Sequence, residues 1–150
     1  MSASLHLACT EDHDAVLALV AAFHAESGFD TSAEHQSNAI KPLLEGNPYG
    51  AIYLVGPKRA PVGYIALTFG WSLEFGGMDG FIDEIYLRPS VRGRGMGRDA
   101  LQKICELMAQ TDLTALHLEV HKNAPLAEAL YQKIGFVRRE GYALMTRPIR

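Results

Sequence analysis

Leu87-Arg88-Pro89-Ser90-Val91-Arg92-Gly93-Arg94-Gly95-Met96-Gly97-Arg98 is the stretch on which the reading of this chain turns. It joins a β-rich run to a segment of helical period. Its glycines can take positive φ and let a ligand approach the backbone closely. The helix after it leaves its first amides unpaired, with the positive end of its dipole pointing outward. Such a turn is a ready anion site, its arginines strengthen it, and a pyrophosphate suits the chemistry. Two familiar phosphate binders do not fit. There is no Gly-Lys-Ser/Thr, so this is not a P-loop, and Gly93, Gly95 and Gly97 give GxGxG in place of the GxGxxG dinucleotide fingerprint. A tight strand-to-helix turn with arginines for solubility is the competing reading of these residues alone.

Upstream, residues 81–87 read as a strand. Before them, residues 51–55 and 62–68 are short β-rich runs separated by Gly56, Pro57 and Pro61, the pattern of a hairpin that residues 71–75 would extend to a Gly76-Gly77 turn. The N-terminal part has helical period. Thr10 caps a helix over residues 11–26, with Val16, Leu19, Val20 and Phe23 on one face and Gly28 at its end. Thr31 to Glu34 reads as a capping box opening a more polar helix, which Pro42 kinks or breaks before Gly46. Downstream, a helix runs to about Gln110 with Leu101, Ile104, Cys105 and Met108 on one face. A strand comes next at residues 116–120, then a helix from Pro125 to a stop at Gly135. Residues 136–138 and 142–146 read as a closing pair of strands around Gly141. The order predicts an α/β (α+β mixed) fold, a central mixed and mostly antiparallel sheet flanked by helices, as one domain over residues 1–150.

The chain has 150 residues, enough to bury a core without metals or disulfides. No apolar run reaches the ~18 residues of a membrane span, and the N-terminus has no signal-peptide pattern. Of the two cysteines, Cys105 falls on an apolar helix face, which points to a reduced thiol and a cytoplasmic location. A net charge of −3 argues against nucleic acid as a partner. The distribution says more than the sum. Residues 71–87 hold four acids (Glu74, Asp79, Asp83, Glu84) and no Lys or Arg, while residues 88–98 hold four arginines and no acid. Two solvated faces would look like this. So would one site with a cationic and a polyanionic half. None of the six histidines has metal-ligand spacing, so no metal is expected; His24 is the one with a case for lining a pocket.

Arg92-x-x-Gly95-x-Gly97 resembles the acyl-CoA-binding motif of the GCN5-related N-acetyltransferase (GNAT) superfamily. The preceding Phe81-Ile82-Asp83-Glu84-Ile85-Tyr86-Leu87 resembles that family's central strand, with Arg88-Pro89 as its exit. Leu130-Tyr131-Gln132-Lys133-Ile134-Gly135-Phe136 is similar to its LY-x-K-x-GF signature. The resemblance covers residues 51–145, the first helices matching in kind alone. It implies an enzyme, an acetyl-CoA-dependent N-acetyltransferase acting by direct attack of an amine on the thioester in a ternary complex. Acetyl-CoA is then the co-substrate. By the same resemblance, the backbone of Arg92, Gly93, Arg94, Gly95, Met96, Gly97 and Arg98 holds the pyrophosphate. The strand edge at Ile85, Tyr86 and Leu87 pairs with pantetheine, and an amide near Ile85 or Tyr86 polarises the thioester carbonyl. Tyr131 protonates the thiolate, although it also continues its helix's apolar stripe. Asn123 resembles a CoA-contacting asparagine but stands one residue further from the tyrosine than the family's spacing.

Removing the amine's proton falls to a carboxylate or an ordered water. Strand alternation sends Asp83 and Glu84 to opposite faces; related enzymes favour the first acid, so Asp83 is expected as base, with Glu84 in reserve. Trp71, Phe75, Glu74 and Asp79 outline an apolar wall with acidic spots, and the acceptor expected is a small cationic primary amine. A peptide N-terminus or lysine is the alternative acceptor, and a non-catalytic acyl-CoA-binding module the alternative class. Exposed strand edges leave room for a homodimer.

Overall fold

A computed structural model describes residues 3–150. In chain order its elements are β1 (Leu5–Leu7), α1 (His13–Ser27), α2 (Ala33–Leu44), β2 (Gly50–Val55), β3 (Gly63–Ser72), β4 (Gly77–Leu87), α3 (Met96–Met108), β5 (Ala115–Leu118) and α4 (Pro125–Ile134). The five strands form one sheet in the order β1-β2-β3-β4-β5. All neighbours are antiparallel except β4 and β5, which are parallel. Among the described residues no helix is long and apolar enough to cross a membrane.

Strand alternation divides the core in two. On β3, Tyr64 and Ala66 face a cluster built with Val16, Leu19 and Val20 of α1 and Ile40 and Leu44 of α2. Ile65 and Leu67 face the other cluster, with Ala100, Leu101 and Ile104 of α3. Gly63 sits where the sheet is tightest: a Cβ there would lie 2.2 Å from the Tyr86 carbonyl oxygen, so only glycine admits the β3–β4 approach.

Several local expectations are corrected. Thr10 opens a 3-10 turn (Thr10–Asp12), and α1 starts only at His13. The cap of α2 is Ser32, whose hydroxyl accepts from the His35 amide, so Thr31 is free for other work. The helix assignment runs unbroken through Pro42 to Leu44. β1 was not foreseen, because three residues are too few to show a period. The closing strands at residues 136–138 and 142–146 are absent: the chain there turns at Glu140 and Gly141 and joins no strand of the sheet.

Candidate active site

The glycine turn has the geometry its sequence promised. A 3-10 turn at Pro89–Val91 succeeds β4, then Gly93 and Gly95 take φ of +76° and +82°, the left-handed region. Gly95 is the residue before α3 and offers no side-chain cap. The amides of Met96, Gly97 and Arg98 therefore find no backbone acceptor among the described residues. The Arg92 side chain has a different duty. Its guanidinium donates to the Leu87 carbonyl at 2.8 Å and makes a bidentate pair with Glu26 of α1 at 2.7 Å, over the Tyr86 ring. That pairing lowers the Glu26 pKa and raises that of Arg92. Arg92 thus ties the turn to the first helix and to the end of β4, leaving anion contact to the backbone.

β4 is paired to β3 from Gly77 to Leu87 except at Asp83, but to β5 only from Asp79 to Ile82. Beyond Ile82 the two parallel strands part, and residues 83–87 present an edge with no strand beside it. The parting coincides with a bulge: Ala66 pairs with Glu84 and Leu67 with Ile82, so Asp83 has no partner on β3. The extra residue breaks the expected alternation. Ile82, Ile85 and Leu87 all pack on the α3 side, while Tyr86 packs on the α1 side and Glu84 reaches His24 of α1. Asp83 is exposed at the opening and makes no hydrogen bond among the described residues. Desolvation raises its pKa above the usual carboxylate range, the charges of Glu84 and Glu119 push the same way, and His24 opposes them.

Glu84 is held where Asp83 is not. Its Oε2 lies 2.8 Å from His24 Nε2, and its Oε1 accepts from the Tyr64 hydroxyl at 2.8 Å. The chain of bonds continues inward: His24 Nδ1 lies 2.7 Å from Thr31 Oγ1, which accepts from Gln36 Nε2 at 3.0 Å. His24 thereby bridges Glu84 and Thr31 through its two ring nitrogens. Burial first, then the Glu84 charge, pushes the Tyr64 phenol far up and keeps it a donor. Both oxygens of Glu84 are engaged, which suits it for positioning and leaves Asp83 as the acid open to a ligand. Tyr64, Thr31, Gln36 and Glu119 were missed in the sequence. No motif marks them, because the fold alone gathers them.

On the other side of the sheet a cavity of about 940 Å³ lies between β5, α4 and the chain after it. Tyr131 lines it, half-buried, with its hydroxyl unpartnered among the described residues and its ring edge-on to Phe136. Burial raises its pKa, so the phenol keeps its proton. Asn123 lies in an exposed turn, its backbone amide donating to His121 Nδ1. Of the expected acidic spots, Glu74 is paired with Arg139 at 2.9 Å and Asp79 with His117 at 3.1 Å. The free negative charge therefore gathers at Asp83 and Glu119, further along the strands. Among the described residues no group of three or more His, Cys, Asp or Glu could hold a metal ion.

Known proteins share this fold. The Acetyltransferase (GNAT) family model matches residues 10–136, and the chain belongs to that family. The comparison with curated proteins finds no match. Among solved structures, an integron cassette protein from the mobile metagenome of Cole Harbour Salt Marsh is 32% identical, with a TM-score of 0.83 over 97% of this chain and 90% of its own. An aminoglycoside acetyltransferase from an uncultured soil metagenomic sample, solved with sisomicin, shares 10% identity at a TM-score of 0.78 over 99% and 97%. The ribosomal-protein-alanine N-acetyltransferase of Brucella melitensis biovar Abortus 2308 shares 14% at 0.76, over 98% and 100%. At those two identities the likeness is of fold alone. One fold there serves an aminoglycoside acetyltransferase and a ribosomal-protein-alanine N-acetyltransferase, so the acceptor must be argued from the site.

Proposed function

We propose that the protein is an acetyl-CoA-dependent N-acetyltransferase whose acceptor is a small cationic primary amine. The observation that carries this is the split after Ile82: an unpaired strand edge, an unpartnered Asp83 beside Glu119, and the bare amides of α3 all lie at one end of β4. Acetyl-CoA would place its pyrophosphate on the amides of residues 92–98 and its pantetheine along residues 85–87, with an amide near Ile85 or Tyr86 polarising the thioester carbonyl. The ammonium form of the acceptor is drawn in by Asp83 and Glu119. Asp83 takes one proton, favoured by its raised pKa, and the neutral amine attacks the thioester carbon. The N–C bond forms, the C–S bond breaks, Tyr131 delivers its phenolic proton to the departing thiolate, and the second proton lost by the acylated nitrogen returns to the phenolate through solvent. Glu84, held by His24 and Tyr64, keeps a fixed negative charge beside the base.

Thermal melting with acetyl-CoA, CoA, ATP and NAD tests the first half. A ligand at a hundredfold excess over its Kd stabilises the native state by about 2.7 kcal/mol, and the shift is expected with acetyl-CoA and CoA only. Thiol release across an amine panel tests the second. Turnover confined to peptides would replace the small amine by a protein acceptor. A shift with acetyl-CoA but no turnover on any amine would make this an acyl-CoA-binding module.

A further inference from the structure

The register of β4 and β5 sorts their side chains between the two faces of the sheet. Ile82, Leu116 and Leu118 pack toward α3. Alternation therefore turns Phe81, His117 and Glu119 to the opposite face, where Glu84 meets His24 and where the charge of Glu119 acts on Asp83. Phe81 and His117 are cross-strand partners with ring centres 5.9 Å apart, and the Phe75 ring, at the tip of the β3–β4 hairpin, lies 5.6 Å from His117. Neither phenylalanine belongs to the two core clusters, so these rings are not spent on the core. The cavity beside Tyr131 wraps the free edge of β5, and on this face it is lined by the same three rings and Glu119.

Charge along this floor follows an order. At one end Asp83 is open, with Glu119 as its neighbour. The other acids are already matched. Glu84 has both oxygens engaged, Asp79 lies 3.1 Å from His117, and Glu74 pairs with Arg139 at 2.9 Å. The far end is closed by a cation: the Arg139 guanidinium stands over Phe75 and Tyr142, 5.5 and 5.4 Å from the ring centres. The groove thus offers negative charge for one ammonium, then aromatic surface, then positive charge. A second ammonium on the same molecule would find no open carboxylate there and would approach a guanidinium. A ring would meet other rings. Phe81 stands two residues before Asp83, about 7 Å along the strand, which is within reach of a short alkyl tether.

We propose that the acceptor is an arylalkyl monoamine, its ammonium at Asp83 and Glu119 and its ring on the floor made by Phe81, His117 and Phe75. This rests on the acetyltransferase reading and deepens it by naming the class of acceptor. Phe81 and Phe75 are then specificity-determining residues, with His117, held at its edge by Asp79, filling the floor between them. Arg139 limits the length of the acceptor and turns away polyamines. Nothing after Phe136 has to move, because Arg139 and Tyr142 form the far wall where they stand.

Thermal melting of the full chain with saturating CoA comes first, since that complex cannot turn over. Added phenethylamine is expected to raise the melting temperature further, and added spermidine is not. In a thiol-release assay with acetyl-CoA, kcat/KM for phenethylamine is expected to exceed that for spermidine and for glucosamine at least tenfold. Phe75→Ala, at a hairpin tip where the side chain is 41% exposed and folding is not at stake, should raise KM for phenethylamine about three- to tenfold, with the effect in KM more than in kcat. Arg139→Gln, which releases Glu74, should lower KM for spermidine and narrow the preference. A preference for spermidine, glucosamine or a peptide N-terminus overturns the inference and leaves the acetyltransferase reading standing. So does a protein that binds CoA and ignores phenethylamine, or a specificity that neither substitution moves. No melting shift with CoA overturns both.

Discussion

The chain up to Met108 and the chain after it are built on different principles. Every buried side chain among the described residues belongs to the first region, where α1, α2 and α3 cover the two faces of β2, β3 and β4. The second region has none: β5 is half-buried, α4 has no buried residue, and the segment beyond Phe136 is exposed. The first region is closed by its own contacts. The second is a set of surfaces: an open edge, a cavity and an exposed apolar segment. β4 runs along the border, fixed to β3 except at Asp83 and abandoned by β5 half-way, and the site forms where that support ends.

Substitutions can break or sharpen this contrast. The largest effect is expected from Asp83→Asn, which should lower kcat by about 10²–10⁴, the usual range for a general base, in a thiol-release assay. The same variant should melt higher at neutral pH. Because the folded pKa of Asp83 is raised, its contribution to stability is present below its ordinary pKa and lost as pH rises through the folded value. The gain in melting temperature should therefore vanish in acid. Next, Leu101→Ala, fully buried in the first region, should cost about 2–5 kcal/mol in denaturant unfolding, whereas Leu126→Ala, 87% exposed in the second, should change stability by less than about 0.5 kcal/mol. Equal costs would erase the division between the two regions. Tyr131→Phe should lower kcat about a hundredfold with KM for acetyl-CoA little changed. Unchanged transfer would reduce Tyr131 to packing. The smallest effect is Glu119→Gln: removing a negative neighbour lowers the Asp83 pKa, so the acid limb of the pH–rate profile should move to lower pH.

Legibility respected the same border. The glycine turn, the helix after it and the apolar face of the first helix were readable because each is local: φ > 0 favours glycine, and period 3.6 places side chains on a face. The reading failed at Asp83 and Glu84. Period two predicts their faces only while the strand is regular, and the bulge that displaces Asp83 is visible only against β3. It failed again at residues 136–146, whose strand-like composition joins no strand of the sheet.

The sequence by itself determined most elements of the first region and the glycine turn, because those arise from backbone freedom and periodicity, while the candidate acid–base residues came from the family resemblance. Tertiary structure alone decided that Glu84 is locked into a chain of hydrogen bonds through His24 to Gln36, that Arg92 is tied to Glu26, and that Asp83 is left open with a raised proton affinity. Each of those joins residues far apart in the sequence, and the energies that set them depend on desolvation and on distances that only the packed fold supplies.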